Sequence, residues 1–353
     1  MPGKNVLTIV VTVGAALAVL VQASRSGSSS VAQGLINHRG RVVERGDVYA
    51  YGAYVPPRWI ARGPRPLVVV LHGCDMTPGE MAAATEYSRL ARQDGFMVLY
   101  PDVDAVDASL GRCWKGIWDA RTERRGQGDA GAIAAMTRRV IARWNGDPNR
   151  VYAIGISAGG FEAAILGADY PDLYAAIGIH SGAPYGGGGS GCAPEGVALA
   201  AGRAASGPAQ AALRAMGPRA RVMPVIVFHG SSDGRIPYAC GRQAIAQWLD
   251  TDALVVAHGG RTRPPFAAQN VTSGRVNRGR RYTVVTYTER SRCALAQFWT
   301  IRGMGHFWSG GSAAPASLRF SDPRGPSASR ASWAFFNGWR LRGPVRPCPR
   351  NPR

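Results

Sequence analysis

The chain alternates between short, continuous apolar runs and longer stretches in which apolar residues recur every three or four positions. The run Leu67–Leu71 is typical of the first kind, which predicts strands buried on both faces of a parallel sheet. The second kind predicts amphipathic helices between those strands. Together they predict an α/β fold, a mostly parallel central sheet with helices on both faces. The predicted strands are 67–71, 96–100, 151–156, 175–179 and 222–228, and the predicted helices are 80–94, 129–144, 161–168 and 239–250.

A different pattern precedes the first buried strand. Residues 40–55 alternate apolar and polar positions around Arg45-Gly46-Asp47, which predicts an antiparallel hairpin. There is no internal repeat and no long linker, so we expect a single domain over residues 40–340, with a loop and helical insertion at 186–224. Further predicted elements are a helix near 197–216 within the insertion, strands at 282–288 and 294–301, and a closing helix at 331–338.

The first 23 residues have the layout of a secretory signal peptide. A basic segment ending at Lys4 precedes an apolar run over 6–21, and Val21-Gln22-Ala23 forms a small-residue cleavage pattern. The alternative is an uncleaved membrane anchor, because the run is close to the lower length limit for a span. We expect cleavage, a secreted product and no membrane contact afterwards. Residues 24–39 would then form a flexible segment, and 341–353 a basic tail rich in proline and arginine.

The formal net charge is +20, and 40 of the 42 basic residues are arginine, since lysine occurs only at Lys4 and Lys115. The arginines are scattered apart from small groups such as 275–281 and the C-terminal tail. No basic repeat is interleaved with aromatic residues, so the sequence contains no nucleic-acid-binding module. A solvated basic surface is the simpler interpretation, and loose attraction to acidic cell-wall material is the alternative.

The six cysteines predict disulfides, because the chain is expected to be exported. Several pairings are compatible with this number, and the spacing alone does not choose among them. No Cys-x-x-Cys pair or His/Cys cluster predicts a metal site, and the loop after the first buried strand lacks the glycine spacing and lysine of a phosphate-binding loop. We therefore expect neither a metal nor another cofactor.

One pentapeptide points to covalent catalysis. Gly155-Ile156-Ser157-Ala158-Gly159 follows a β-branched apolar run and precedes a predicted helix. Strand, tight turn with a central serine, then helix is the setting of a nucleophile elbow, in which flanking glycines allow the sharp bend and expose the hydroxyl. Ser157 is therefore a candidate nucleophile for acyl transfer.

An acid and a histidine follow in the order that α/β-hydrolases use. Asp233 comes directly after the predicted strand 222–228, and His306 follows the last predicted strand. His306 would take the proton of the serine, and Asp233 would fix its tautomer. The alternatives are a turn-forming role for Asp233 and a structural role for His306. Other possible acids are Asp250 and Asp252, which we expect to be solvated at the end of a helix, and another possible histidine is His258, which we place in a polar loop.

An oxyanion hole in this fold combines the N–H of the residue after the nucleophile with an N–H from the loop after an earlier strand. These donors would be Ala158 and Cys74. Each such donor contributes about 3 kcal/mol to transition-state stabilisation. His72 lies in the same loop, where an orienting role is favoured over that of a base.

Six motifs in register resemble the polyhydroxybutyrate depolymerase-like esterases, a family that shades into feruloyl and acetylxylan esterases. The resemblance runs from about Arg41 to Trp339 and implies an α/β-hydrolase fold and a secreted carboxylic ester hydrolase. We expect the protein to be a monomer. The motifs are Leu71-His72-Gly73-Cys74, Cys113-Trp114 with Trp118, Gly155-Ile156-Ser157-Ala158-Gly159-Gly160, Ser181-Gly182-Ala183-Pro184-Tyr185-Gly186, His229-Gly230-Ser231-Ser232-Asp233 and Gly303-Met304-Gly305-His306-Phe307-Trp308-Ser309-Gly310-Gly311.

The resemblance also implies residue roles. Ser157, Asp233 and His306 would be the triad, and a Cys74–Cys113 disulfide would hold the oxyanion loop against the Trp114 segment. The remaining cysteines would be additional links, paired here as Cys192–Cys240 and Cys293–Cys348. Substrate contact and core packing remain open alternatives for three tryptophans. These are Trp114, Trp118 and Trp308.

Three departures from the family pattern bear on the substrate. Asp75-Met76 follow the oxyanion loop where the family often has Gln, the chain stops shortly after Trp339 without a separate binding domain, and extra cysteines are present. We expect cleavage of short-chain hydroxyalkanoate esters, oligomers or amorphous polyester. The alternative is a feruloyl or acetylxylan esterase acting on plant cell walls. An acyltransferase and a catalytically inactive binding protein are the other hypotheses.

Overall fold

The computed structural model describes residues 35–57, 60, 63–117, 123–187, 192, 206–258, 266–289 and 293–345. The expected signal peptide and most of the expected basic tail lie outside these residues. Within them, no helix has both the length and the apolar character needed to cross a bilayer.

Ten strands form the main sheet; in chain order they are β1 (His38–Glu44), β2 (Asp47–Tyr54), β3 (Arg65–Leu71), β4 (Met97–Asp104), β5 (Gly146–Ile156), β6 (Ala176–His180), β7 (Val225–Gly230), β8 (Phe266–Arg275), β9 (Arg281–Glu289) and β10 (Ala294–Ile301). Their spatial order is β1-β2-β4-β3-β5-β6-β7-β10-β9-β8. The six strands from β4 to β10 in that order are mutually parallel, whereas the pairs at both edges are antiparallel. The predicted mostly parallel sheet is thus confirmed.

Eight helices are described, and they connect or flank these strands. They are α1 (Pro78–Thr85), α2 (Tyr87–Asp94), α3 (Ala105–Ser109), α4 (Gly128–Trp144), α5 (Ala158–Asp169), α6 (Ser206–Met216), α7 (Tyr238–His258) and α8 (Ala328–Phe336). Two short strand pairs complete the structure, β11 (Trp308–Ser309) with β12 (Ser321–Asp322) and β13 (Trp339–Arg340) with β14 (Gly343–Pro344).

The sheet separates two apolar cores, because successive side chains of a strand point to opposite faces. In β3, Leu67 and Val69 pack into the core formed with α4, α5, α6 and α7. Val68 and Val70 pack into the other core, with α1, α2 and α8. Burial on both faces explains why β3 reads as a continuous apolar run rather than an alternating one.

The parallel direction of the central strands brings three loops to one edge of the sheet. β5 ends at Ile156, β7 at Gly230 and β10 at Ile301, and the loops that follow carry the three expected triad residues. In open α/β sheets this carboxyl edge is where ligands bind.

The structure corrects several sequence-based expectations. The predicted helix 80–94 is two helices, because Glu86 adopts a left-handed conformation with φ of 56° and ends α1. A capping box between Thr77 and Glu80 starts α1 earlier than expected. Strand β8 was not predicted, since its residues 270–273 are exposed at the sheet edge and lack an apolar run.

Helix α7 is longer than predicted, which changes the position of two alternative site residues. His258 is the last residue of this helix rather than part of a loop. Asp252 lies inside the helix and is buried, with Oδ1 accepting a hydrogen bond of 2.7 Å from the backbone N–H of Met223. Burial raises the pKa of Asp252 well above its usual value. It is therefore not the solvated acid that the sequence suggested, and it is bonded to a loop before β7.

Candidate active site

Ser157 occupies a sharp turn between β5 and α5. Its backbone has φ of 58° and ψ of −126°, a strained conformation for a residue other than glycine. A Cβ atom on Gly155 would lie 2.2 Å from the carbonyl oxygen of Gly159, and one on Gly159 would lie 2.4 Å from that of Leu71. Only glycine fits at these two positions. The turn therefore has the geometry of a nucleophile elbow, with Ser157 partly exposed.

Asp233 and His306 are hydrogen-bonded to each other. Nδ1 of His306 lies 2.8 Å from Oδ2 and 3.1 Å from Oδ1 of Asp233. Oδ1 also accepts from the backbone N–H groups of Arg235 and Ile236, each at 3.0 Å. The side chain of Asp233 is fully buried, whereas that of His306 is 14% exposed. The acid thus fixes the imidazole through Nδ1 and leaves Nε2 as the nitrogen able to accept a proton.

The pKa of Asp233 reflects a balance between burial and hydrogen bonding. Burial would raise this pKa, but the hydrogen bond and charge of His306 and the N–H of Ile236 more than offset it, so the pKa lies below its usual value. Asp233 is therefore a carboxylate at neutral pH, which is the state needed to hold an imidazolium.

The loops that carry Asp233 and His306 are tied together by their backbones. Ser231 N–H donates to Ile301 O at 2.9 Å, and Ser232 N–H donates to Met304 O at 3.0 Å. Oγ of Ser231 accepts from the N–H of Gly303 at 2.9 Å. These bonds make the two loops one unit, so the Asp233–His306 pair does not depend on its own hydrogen bonds alone.

Two further histidines near the pair were not predicted to have a role. His180 ends β6; its carbonyl accepts from Ser157 N–H at 3.0 Å, and its Nε2 accepts from Ser309 N–H at 3.0 Å. Nε2 of His229 donates to Ile236 O at 3.0 Å and lies 3.6 Å from Oδ2 of Asp233.

Burial, followed by the positive charges of neighbouring histidines, lowers the pKa of His180 well below its usual value. Burial is also the main cause of the lowered pKa of His229. Both rings are therefore neutral at pH 7. They support the loops that carry Ser157 and Asp233.

The loop after β3 lies beside the serine. A Cβ atom on Gly73 would lie 3.2 Å from Cβ of Ser157. The N–H of Cys74 has no hydrogen-bond acceptor within the described part of the chain. Ala158 is the first residue of α5, so its N–H has no acceptor within the helix. These are the two donors expected for an oxyanion hole.

Several interactions fix that loop. The Trp114 indole N–H donates to His72 O at 2.8 Å, and Asp75 N–H donates to Gly111 O at 2.9 Å. A disulfide joins Cys74 to Cys113. His72 is fully buried, and its Nδ1 donates to Gly73 O at 2.8 Å. The ring of His72 thus binds its own loop, in agreement with an orienting role.

The tryptophans expected as substrate contacts are largely inside the protein. Trp114 is fully buried, and Trp308 is 1% exposed, with its ring stacked on His180 at 4.9 Å. The indole N–H of Trp308 donates to Oγ of Ser329 at 3.2 Å. Core packing, the alternative interpretation, describes both side chains. Trp118 lies outside the described residues.

Two expected disulfides are present, Cys74–Cys113 and Cys192–Cys240. Cys293 is also disulfide-bonded, and its expected partner Cys348 lies outside the described residues.

A second group of carboxyl side chains surrounds Glu162, which lies on α5. Glu162 is fully buried, and neither of its carboxyl oxygens has a hydrogen-bond partner in the described structure. Burial and then the charge of Glu123 raise its pKa well above the usual value. Burial is also the main cause of the raised pKa values of its neighbours, about 8 for Glu123, about 6 for Asp129 and about 7 for Asp169. Sequence inspection missed this cluster, because a glutamate within a helix usually lies on a solvated face.

Of the described residues, one acidic group has oxygens close enough to hold a cation: Asp104, Asp107 and Asp129. The ammonium of Lys115 already lies 2.6 Å from Asp104 and 3.1 Å from Asp107, and its backbone N–H donates to Asp129 at 2.7 Å. An internal ion pair therefore accounts for this group.

The chain is similar in sequence to several known esterases. Feruloyl esterase B of Neurospora crassa is 30% identical over 212 residues, and probable acetylxylan esterase A of Aspergillus fumigatus is 31% identical over 178. Poly(3-hydroxyalkanoate) depolymerase C of Paucimonas lemoignei is 37% identical over 120 residues. The matches cover 55%, 47% and 34% of this chain, and the chain spans 67%, 46% and 28% of the three relatives.

A solved structure supports the fold. An acetyl xylan esterase from Aspergillus awamori superposes with a TM-score of 0.57 over 76% of this chain and 94% of that protein, at 22% sequence identity. This likeness confirms the predicted α/β-hydrolase fold. The family described as Esterase PHB depolymerase matches residues 49–270, which is more than half of the chain. The resemblance inferred from the six sequence motifs is confirmed, and the chain belongs to the PHB depolymerase family of esterases.

Proposed function

We propose that this protein is a secreted serine carboxylic ester hydrolase with Ser157, Asp233 and His306 as its catalytic triad. The observation that carries the proposal is the hydrogen-bonded Asp233–His306 pair at the same sheet edge as the strained turn of Ser157. A partly exposed serine, an imidazole and a buried carboxylate in loops that follow parallel strands of one sheet are the parts that acyl transfer requires.

In the proposed mechanism, Oγ of Ser157 attacks the ester carbonyl while Nε2 of His306 takes the hydroxyl proton. The carbonyl oxygen becomes an oxyanion, which the N–H groups of Ala158 and Cys74 stabilise by about 3 kcal/mol each. The intermediate then collapses, and the alcohol leaves with the proton from His306. The products of this half-reaction are an acyl-enzyme at Ser157 and the free alcohol.

Water completes the cycle. His306 removes a proton from water, the hydroxide attacks the acyl carbonyl, and the proton returns to Ser157 as the carboxylic acid departs. Asp233 remains a carboxylate throughout, because its lowered pKa makes protonation unfavourable at neutral pH. It holds His306 in one tautomer and stabilises the transient imidazolium.

The test of the mechanism is Ser157→Ala. We expect this variant to lose p-nitrophenyl butyrate hydrolysis and labelling by a fluorophosphonate probe, because no other hydroxyl occupies the elbow. Ser273→Ala is the matched control, since Ser273 is an exposed serine on β8. Wild-type rates in Ser157→Ala would refute the mechanism.

The proposed substrates are short-chain hydroxyalkanoate esters, their oligomers or polyester. The named depolymerase relative supports this class. The relatives named as feruloyl and acetylxylan esterases support plant cell-wall esters as the second candidate. Initial rates on hydroxybutyrate oligomers, methyl ferulate and acetylated xylan separate the two, because the preferred class shows the higher kcat/KM. N-terminal sequencing of the exported protein tests cleavage after residue 23.

A further inference from the structure

Four arginines lie together beside the loop that carries His306. Arg275, Arg278 and Arg281 belong to the turn between β8 and β9 and to its flanking strand ends, and Arg302 follows β10. We call these four residues the arginine patch. The antiparallel pairing of Tyr282 with Ile301 places the β8–β9 turn at the carboxyl end of β10. The patch therefore lies at the carboxyl ends of the parallel strands, as Ser157 and His306 do.

Hydrogen bonds hold the β8–β9 turn against the His306 loop. Arg302 N–H donates to Arg281 O at 2.9 Å. The guanidinium of Arg280 donates to Gly303 O at 2.5 Å and pairs with Asp322. Arg280 N–H also donates to Arg324 O at 2.8 Å. The β8–β9 turn is thus bonded to residues 302 and 303, which precede His306 in the loop after β10.

The charges of the patch are not neutralised. All four arginines are exposed, and none forms an ion pair with an acidic residue in the described structure. Asp322 is the nearby carboxylate, and it already binds Arg280 and Arg324. Folding gains little from leaving four guanidinium groups together at one surface, since like charges repel. A ligand with negative charge would relieve that repulsion.

We propose that the arginine patch binds a carboxylate carried by the ester substrate outside the scissile bond. This inference rests on the proposed esterase function. The guanidinium group presents paired N–H donors that match a carboxylate. Ser157 follows β5, and β9 and β8 lie four and five strands to the side of β5. At about 4.8 Å per strand, these offsets are roughly 19 and 24 Å. Those offsets correspond to a carboxylate located several units along a chain from the ester that reacts at Ser157.

Two kinds of substrate contain such a group: a hydroxyacid oligomer with a free acid end, and an acetylated xylan with uronate side groups. The test compares each with a neutral counterpart, namely a hydroxybutyrate hexamer with its methyl ester, and an acetylated xylan that carries uronates with one that does not. The measured quantity is the anionic preference, defined as kcat/KM for the charged substrate divided by kcat/KM for its neutral counterpart.

The variant Arg278→Glu/Arg281→Glu changes the patch. The matched control is Arg139→Glu/Arg143→Glu on α4, which changes the net charge by the same amount near the amino end of β5. We expect the first variant to lower the anionic preference about tenfold at low salt, with the difference shrinking at high salt as the charges are screened. We expect the control to change it less than about twofold. The substrate pair that responds identifies the source of the carboxylate.

The outcomes separate this inference from the proposed function. An equal fall in both variants would assign the effect to overall charge and overturn the inference. An unchanged preference in the patch variant would overturn it as well, as would a loss on charged and neutral substrates alike, which would assign the patch to support of the His306 loop. If the wild-type protein hydrolyses none of the four substrates or p-nitrophenyl butyrate, the proposed function itself fails.

Discussion

Two buried acidic regions, one around Asp233 and one around Glu162, differ in their hydrogen-bond partners. Asp233 is bonded to His306 and to two backbone N–H groups. Glu162, on the helix that follows Ser157, has no hydrogen-bond partner for either oxygen within the described structure. The pKa of Asp233 is lowered, whereas burial raises that of Glu162.

Burial alone therefore does not determine whether a carboxyl group is charged. Burial disfavours the charged form in both regions, and only Asp233 has donors that reverse the effect. A charged acid results where the proposed mechanism needs one. Glu162 on α5 is protonated instead, because a negative charge there would lie among Glu123, Asp129 and Asp169. The same carboxyl chemistry therefore gives opposite protonation states in the two regions.

The largest expected effect comes from removing the charge of the partnered acid. Asp233→Asn keeps the size of the side chain but replaces a carboxylate with an amide, which disfavours the required tautomer of His306. We expect kcat for p-nitrophenyl butyrate to fall about 10⁴-fold, with KM little changed. Steady-state kinetics measures both constants. Asp250→Asn, at an exposed acid on α7, is the control, and a fall of less than tenfold in Asp233→Asn would contradict the assignment.

The second prediction concerns the pH dependence of stability. The pKa values of Glu123, Asp129 and Asp169 are raised to about 8, 6 and 7. The folded protein therefore retains protons that the unfolded chain has already released, and stability is lost as pH rises through these values. The three shifts together correspond to roughly 8 kcal/mol between pH 5 and pH 9. The lowered pKa values of His180 and His229 act in the opposite direction below about pH 6.5, so we expect the free energy of unfolding to fall by roughly 4 to 8 kcal/mol. Denaturant titrations at several pH values measure this, and equal stability at both extremes would contradict it.

A smaller effect is expected from neutralising Glu162 alone. Glu162→Gln removes the charge that the folded protein must suppress at alkaline pH. We expect the stability of the variant relative to the wild type to rise steadily from pH 5, where the wild-type side chain is protonated, to pH 9. Glu86→Gln is the control, because Glu86 is partly exposed and paired with Arg89. A stability difference that is independent of pH would show that Glu162 is not the titrating group.

Sequence patterns identified the parts of the structure that depend on neighbours along the chain. The turn around Ser157 was predictable because Gly155 and Gly159 are required for its close contacts, and both lie within two residues of the serine. The buried central strands were predictable because burial on both faces gives continuous apolar runs, as in β3. Membership in the esterase family followed from the same short motifs.

Other features depend on contacts between distant residues and left no local signal. The bond between His180 and Ser309 joins residues 129 positions apart, so only the fold brings them together. Glu162 and Asp252 are polar residues within helices, a pattern that normally indicates a solvated face. Strand β8 is an edge strand whose exposed residues lack the apolar alternation that marks a half-buried strand.

The two outermost strands of the sheet affect how readily molecules of the protein associate with one another. Among the described strands, β1 and β8 each pair with one neighbour, and both expose an apolar side chain, Val43 at 68% and Val271 at 63%. Exposed edge strands can pair with an edge strand of another molecule. Here Arg39 and Arg41 on β1 and Arg275 on β8 place positive charge on both edge strands. Mutual repulsion then keeps the molecules dispersed in dilute buffer, and polyanions that coat these edge strands would remove that protection.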